Sequence, residues 1–200
     1  MNKKTNFWKI FKFLAVFPAI FSTSCFKKDT KTDVESYVEI LTESRNESDF
    51  HTELYICPET IENLEVKSFY YAHIDDLFTG SFLMYLVIEY DETNFSSEIQ
   101  RLSGVKANFK DRGTKSIISF PEQNLYLTIK LNKRFEYAIY DTEKYQIAYI
   151  SNQIFEWKDT PIEEKFIIPE LQIPSELQDK ENMFNLYYWY EGDVGFYIED

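Results

Sequence analysis

Three consecutive stretches of the chain alternate apolar and polar residues with a period of two. Leu125, Leu127, Ile129 and Leu131 alternate with Tyr126, Thr128 and Lys130, Phe135, Tyr137 and Ile139 repeat the pattern, and Tyr145, Ile147 and Tyr149 begin a third run. Period two places successive side chains on opposite faces, so each run predicts a half-buried β-strand. The connections are short, Asp141-Thr142-Glu143-Lys144 being a turn, and parallel neighbours would need a crossover of a dozen or more residues. The runs therefore predict an antiparallel meander. Ser116–Phe120 reads as a further strand ahead of Pro121, and Val66–Ile74 as another, with Thr79-Gly80 as punctuation before Ser81–Tyr90. That last run, SFLMYLVIEY, is apolar on both alternating faces as far as Glu89. It predicts a central strand covered on both sides.

Helices are read from caps and a different period. Thr32-Asp33-Val34-Glu35 matches a capping box, and Val34, Tyr37, Val38 and Leu41 follow at helical spacing. A helix over Asp33–Ser44 is expected. Asn94 is the expected cap of a second, in which Phe95, Ile99 and Leu102 share a face and Gly104 ends the run. Tyr55–Pro58 and a helical turn at Glu59–Leu64 lie between the first helix and the strands. Thr160–Pro174 holds Pro161, Pro169 and Pro174 and reads as a segment draped over the surface, followed by a short helix at Ser175–Gln178. Leu186–Tyr190 and Phe196–Ile198 read as a closing hairpin. The expected architecture is α+β: an antiparallel meander sheet with two or three helices packed on one face, in a single domain over residues 32–200.

Residues 1–24 have a different character. A basic stretch to Lys12 precedes the nine-residue apolar run Phe13–Phe21 and then Ser22-Thr23-Ser24, directly before Cys25. This is the layout of an export signal. The run is too short for a hydrocarbon core of about 30 Å, which needs roughly 20 helical residues. The segment resembles the type II signal of bacterial lipoproteins, with Ser22-Thr23-Ser24-Cys25 as the lipobox. The resemblance implies cleavage between Ser24 and Cys25, lipidation of Cys25, a membrane partner and an extracytoplasmic location, with residues 25–31 as anchor site and short tether. Ser22 and Ser24 also suit the ordinary signal peptidase, which would cut at the same bond and leave a secreted chain. Cys57 is the other cysteine. With Cys25 acylated it has no intramolecular disulfide partner; without acylation a Cys25–Cys57 bridge becomes open. Cys57 itself, in Leu54-Tyr55-Ile56-Cys57-Pro58, reads as a small buried hydrophobe beside a turn.

The body shows few marks of chemistry. Residues 1–24 hold Lys3, Lys4, Lys9 and Lys12 and no acid, so 21 basic groups less those four leave 17 against 34 acidic, a net −17. Such a body repels phosphodiester backbones, which excludes nucleic acid as a partner. There is no Gly-x-Ser-x-Gly motif, and His51 and His73 have no local pattern linking them to Cys57. The five glycines never cluster as a phosphate-cradling loop. His73-Ile74-Asp75-Asp76 brings an imidazole near two carboxylates, yet it lacks the spacing of a zinc or calcium site and reads as a solvated turn. No catalytic residue, metal site or cofactor is assigned. Tyr187-Tyr188-Trp189-Tyr190, with Glu191 and Asp193 close by, combines stacking faces with acceptors and forms the candidate ligand-binding surface, of a kind suited to sugars; packing is the favoured reading of the same run, because aromatics fill both faces of a strand for packing alone. The expectation is a lipid-anchored envelope protein with a non-enzymatic binding or structural role. A carbohydrate-binding or hydrolytic domain, or a secreted unanchored one, stands as the alternative.

Overall fold

The apolar run SFLMYLVIEY lies inside a seven-stranded antiparallel sheet, third from one edge. The structure is a computed structural model and describes residues 27–46, 56–58, 61, 63–75, 80–109, 113–116, 118–130, 134–153 and 162–178. The strands of the large sheet are β1 (Lys27–Lys31), β2 (Glu65–Asp75), β3 (Gly80–Glu89), β6 (Ile118–Phe120), β7 (Leu125–Lys130), β8 (Arg134–Asp141) and β9 (Gln146–Gln153). β4 (Lys106–Phe109) and β5 (Gly113–Ser116) make a separate two-stranded ribbon. The order β1-β2-β3-β9-β8-β7-β6 joins two meanders edge to edge where β3 meets β9, and the sheet is open. Two helices, α1 (Glu35–Asn46) and α2 (Glu92–Gly104), pack on one face, giving the expected α+β architecture in one domain. Among the described residues no helix is long and apolar enough to cross a membrane.

Both helices start with an aspartate one turn from the residue it caps, and in neither case is it the cap expected from sequence. Asp33, not Thr32, accepts from the Ser36 N–H at 2.9 Å and from the Ser36 hydroxyl. Asp91, not Asn94, accepts from the Asn94 N–H at 2.9 Å. Those hydrogen bonds hold both carboxyls below their ordinary pKa, which suits an ionised group at the positive end of a helix. The inward face of α1 also differs from the one its spacing predicts. Tyr37 and Ile40 are buried, while Val38, read from spacing as inward, is 53% exposed. In α2 the expected face holds: Phe95 and Leu102 are buried and Ile99 is partly so.

Two further expectations change. Residues 25–31, read as a tether, contribute β1, which pairs along its length with β2 from Lys27 opposite Asp75 to Lys31 opposite Tyr71. A lysine-rich pentapeptide has little strand propensity of its own. Its strand conformation comes from the pairing with β2 rather than from its own residues. Tyr145, read as the first residue of a strand, instead closes the β8–β9 turn at φ 53°, while Asp141 accepts from the N–H groups of Glu143 and Lys144.

The strands of the meander are not half-buried. One face carries Leu83, Tyr85, Val87, Leu127, Tyr137 and Ile150 and is covered by residues 162–178, a strap of three 3-10 turns. This is the segment read as draped over the surface. It supplies Ile162, Leu171, Ile173 and Leu177 to the core. Tyr85 fastens it, its hydroxyl accepting from the Ile168 N–H at 3.1 Å and donating to the Leu171 carbonyl at 3.3 Å; Ser68 donates to the Phe166 carbonyl at 2.6 Å. The other face carries Phe69, Met84, Leu86, Ile88, Tyr126, Ala138 and Tyr149 under the helices. From Phe82 to Ile88 no residue is more than 4% exposed, as expected for a strand covered on both sides.

Candidate functional site

Two polar groupings of the described core lie on the helix face. The first is a hydrogen-bonded chain that joins α2 to the sheet. The Tyr90 and Tyr149 hydroxyls are 2.6 Å apart, Tyr149 donates to Glu98 Oε1 at 2.7 Å, and Arg101 donates to both Glu98 oxygens at 2.6 and 2.7 Å. Arg101 Nη2 also donates to the Ile56 carbonyl at 2.8 Å, and Tyr37 donates to the Pro58 carbonyl. These two bonds hold the Ile56–Pro58 segment, with its buried Cys57 thiol beside Tyr90 and Arg101. Cys57 is thus the small buried residue near a turn that its sequence context suggests.

The chemistry of this chain is that of a fastener. Burial pushes both tyrosine hydroxyls well up, so they remain un-ionised donors at ordinary pH. Glu98 is engaged by three donors, and its ion pair with Arg101 sits within one turn of α2. A nucleophile needs an adjacent base able to take its proton. His73 stands on β2 opposite Phe82, toward the other end of the strand from Phe69 and Cys57's neighbours, so it does not form a dyad with Cys57. His51 and Asp76 are outside the described residues, and among those described no group of three or more His, Cys, Asp or Glu side chains could hold a metal ion.

The second place is a row of directly opposed residues across three strands. Thr128 on β7 faces Glu136 on β8, and Glu136 faces Ser151 on β9. All three are 0% exposed. Strand register puts such neighbours about 5 Å apart. Their alternation had marked Thr128 as outward-facing, and nothing in the strands' own periodicity distinguishes a polar residue in water from one enclosed by distant chain. A second apolar layer supplies the only signal, and here it is the tyrosine at Tyr126, an aromatic on the nominally polar face. Thr128 Oγ1 and Ser151 Oγ make no hydrogen bond among the described residues. Replacing Thr128 with valine is therefore expected to leave stability unchanged or raise it by about 1 kcal/mol in urea unfolding. A loss of comparable size would show that the hydroxyl has a partner.

The aromatic candidates Tyr187, Tyr188, Trp189 and Tyr190, the lipidation residue Cys25 and its neighbour Ser24, and the closing hairpin all lie outside the described residues. The network of Tyr90, Tyr149, Glu98 and Arg101 was missed by sequence reading because its members come from the residue just after β3, from β9 and from α2. No family model matches the chain, and neither a curated protein nor a solved structure is detectably similar to it.

Proposed function

We propose that this chain is a lipid-anchored extracytoplasmic protein, acylated on Cys25, with a non-enzymatic binding or structural role at the cell envelope. The observation that carries the reading is the order basic stretch, short apolar run, Ser22-Thr23-Ser24, Cys25. Two or more acyl chains give stable attachment, each buried methylene contributing about 0.8 kcal/mol. The strong acidity of the body favours protein or neutral polymer partners over nucleic acid.

Distance argues against the alternative in which Cys25 closes a disulfide with Cys57. Cys57 lies beside Tyr90, just past the Glu89 end of β3, and Tyr37, bound to the neighbouring Pro58, packs edge-on against Phe69 at 6.1 Å. Phe69 is six residues, about 20 Å, along β2 from Asp75, the partner of Lys27. Cys25 reaches no more than about 7 Å from Lys27. A bridge needs Cα atoms within about 7 Å, so it would require β1 to leave the sheet.

The test is intact mass and N-terminal peptide analysis of protein from its native membrane fraction, with and without inhibition of the lipoprotein signal peptidase. A diacylglyceryl-modified Cys25 that disappears on inhibition is expected. Cys25→Ser should move the protein from the membrane to the soluble fraction. An unmodified Cys25 in the wild-type soluble fraction would overturn the proposal.

A further inference from the structure

We propose that the β1 edge of the sheet is the surface this protein lays against an anionic lipid bilayer, with the β6 edge held away from it. The proposal rests on acylation of Cys25 and adds an orientation to it. Only Phe26 separates Cys25 from the first residue of β1, so the acyl chains enter the bilayer within about 7 Å of that strand. A lipid anchor on a long linker leaves a domain free to tumble; here the linker has been taken into the sheet.

Charge selects the same surface. β1 reads Lys-Lys-Asp-Thr-Lys, a locally basic strand at the margin of a body with twice as many acids as bases. Lys27 and Lys28 are the basic positions of the strand next to the anchor in the chain, while Lys31, at its far end, holds Glu39 of α1 at 2.7 Å. Anionic lipid attracts juxtamembrane lysines within about a Debye length and repels the acidic remainder. A protein strand is a poorer fit to this edge, because lysines along an edge strand oppose pairing with another strand. β1 and β6 are the two ends of the sheet order, six strand spacings or roughly 30 Å apart. Partners of the anchored protein are then met within about 40 Å of the headgroups, the diameter of a domain of this length.

The experiment uses the full-length acylated protein with a fluorophore on Thr30→Cys in β1 or on Ser119→Cys in β6, both exposed positions. Cys57 is buried, and labelling of the unsubstituted protein measures its background. Each labelled protein is placed in vesicles containing phosphatidylglycerol and a headgroup-quenching lipid. Quenching several-fold stronger at Thr30 than at Ser119 is expected, and the ratio should fall in zwitterionic vesicles and in a Lys27→Glu, Lys28→Glu variant. Equal quenching at both positions, or a ratio indifferent to lipid charge and to the lysines, would overturn the proposal. Should the label disturb β6, Glu143→Cys in the exposed β8–β9 turn serves as the distant position. Mass analysis of Cys25 on the same samples separates the failures: an unmodified Cys25 removes the anchored reading, whereas a modified one with equal quenching removes only the orientation.

Discussion

Raising the pH from about 8 to about 11 is expected to reduce the stability of the folded protein by about 5–6 kcal/mol, enough to unfold a domain of ordinary stability. The cause is four tyrosines enclosed in the two core layers: Tyr85 and Tyr137 on the strap face, Tyr90 and Tyr149 on the helix face. Burial pushes Tyr85 up to about 12 and raises the other three further. A tyrosine in the unfolded chain loses its proton near pH 10. The folded state therefore keeps protons that the unfolded state has released. The stability these groups contribute is complete below pH 10 and is lost as pH rises from there through the folded values. At one unit above the unfolded pKa each group accounts for about 1–2 kcal/mol, and the four act together.

Near-ultraviolet circular dichroism and tyrosinate absorbance, followed on the same sample, check this. The four tyrosines should ionise together with the loss of tertiary signal, after the exposed ones. Their ionisation in a protein that keeps its near-ultraviolet spectrum would contradict the burial. Tyr137→Phe should reduce the dependence of stability on pH in this range by about a quarter, since one of four groups is removed.

Leu171→Ala is expected to cost about 2–5 kcal/mol, the range for removing a fully buried leucine side chain. Leu171 is 0% exposed, yet it comes from a 3-10 turn following Pro169 in a segment with no helix or strand of its own. Its burial depends on the strap staying on the sheet, held by the Tyr85 hydroxyl and by the Ser68 bond to Phe166. Urea unfolding of Leu171→Ala beside Val38→Ala makes the comparison, because Val38 is a large apolar residue standing mostly in water. A cost at Leu171 as small as that at Val38 would mean that the strap is not a core layer.

The strands and their antiparallel order were legible because both depend on short-range rules. Alternation in Leu125–Lys130 and Phe135–Ile139 assigns residues to faces whatever lies above them, and short connections leave no room for a crossover. The central position of β3 was legible for the same reason, since a strand apolar on both faces is unstable at an exposed margin. The helix caps were legible only to within a few residues, because Thr32 and Asp33, or Asp91 and Asn94, offer equivalent acceptors and packing chooses between them.

What covers each face was decided by tertiary structure alone. Nothing local in Thr160–Pro174 distinguishes a surface segment from a layer of the core; apolar residues there are buried because the strap face of the sheet has no other cover among the described residues. The same enclosure on the helix face turns Thr128, Glu136 and Ser151 from a polar row into a buried one. It also joins Tyr90, Tyr149, Glu98 and Arg101, which are up to 59 residues apart in the chain. The proposal of an export signal, by contrast, rests on the sequence by itself, because a processing enzyme would read such a segment before any fold exists. The pairing of β1 (Lys27–Lys31) with β2 belongs to the tertiary structure, a long-range event that no five-residue window could foretell.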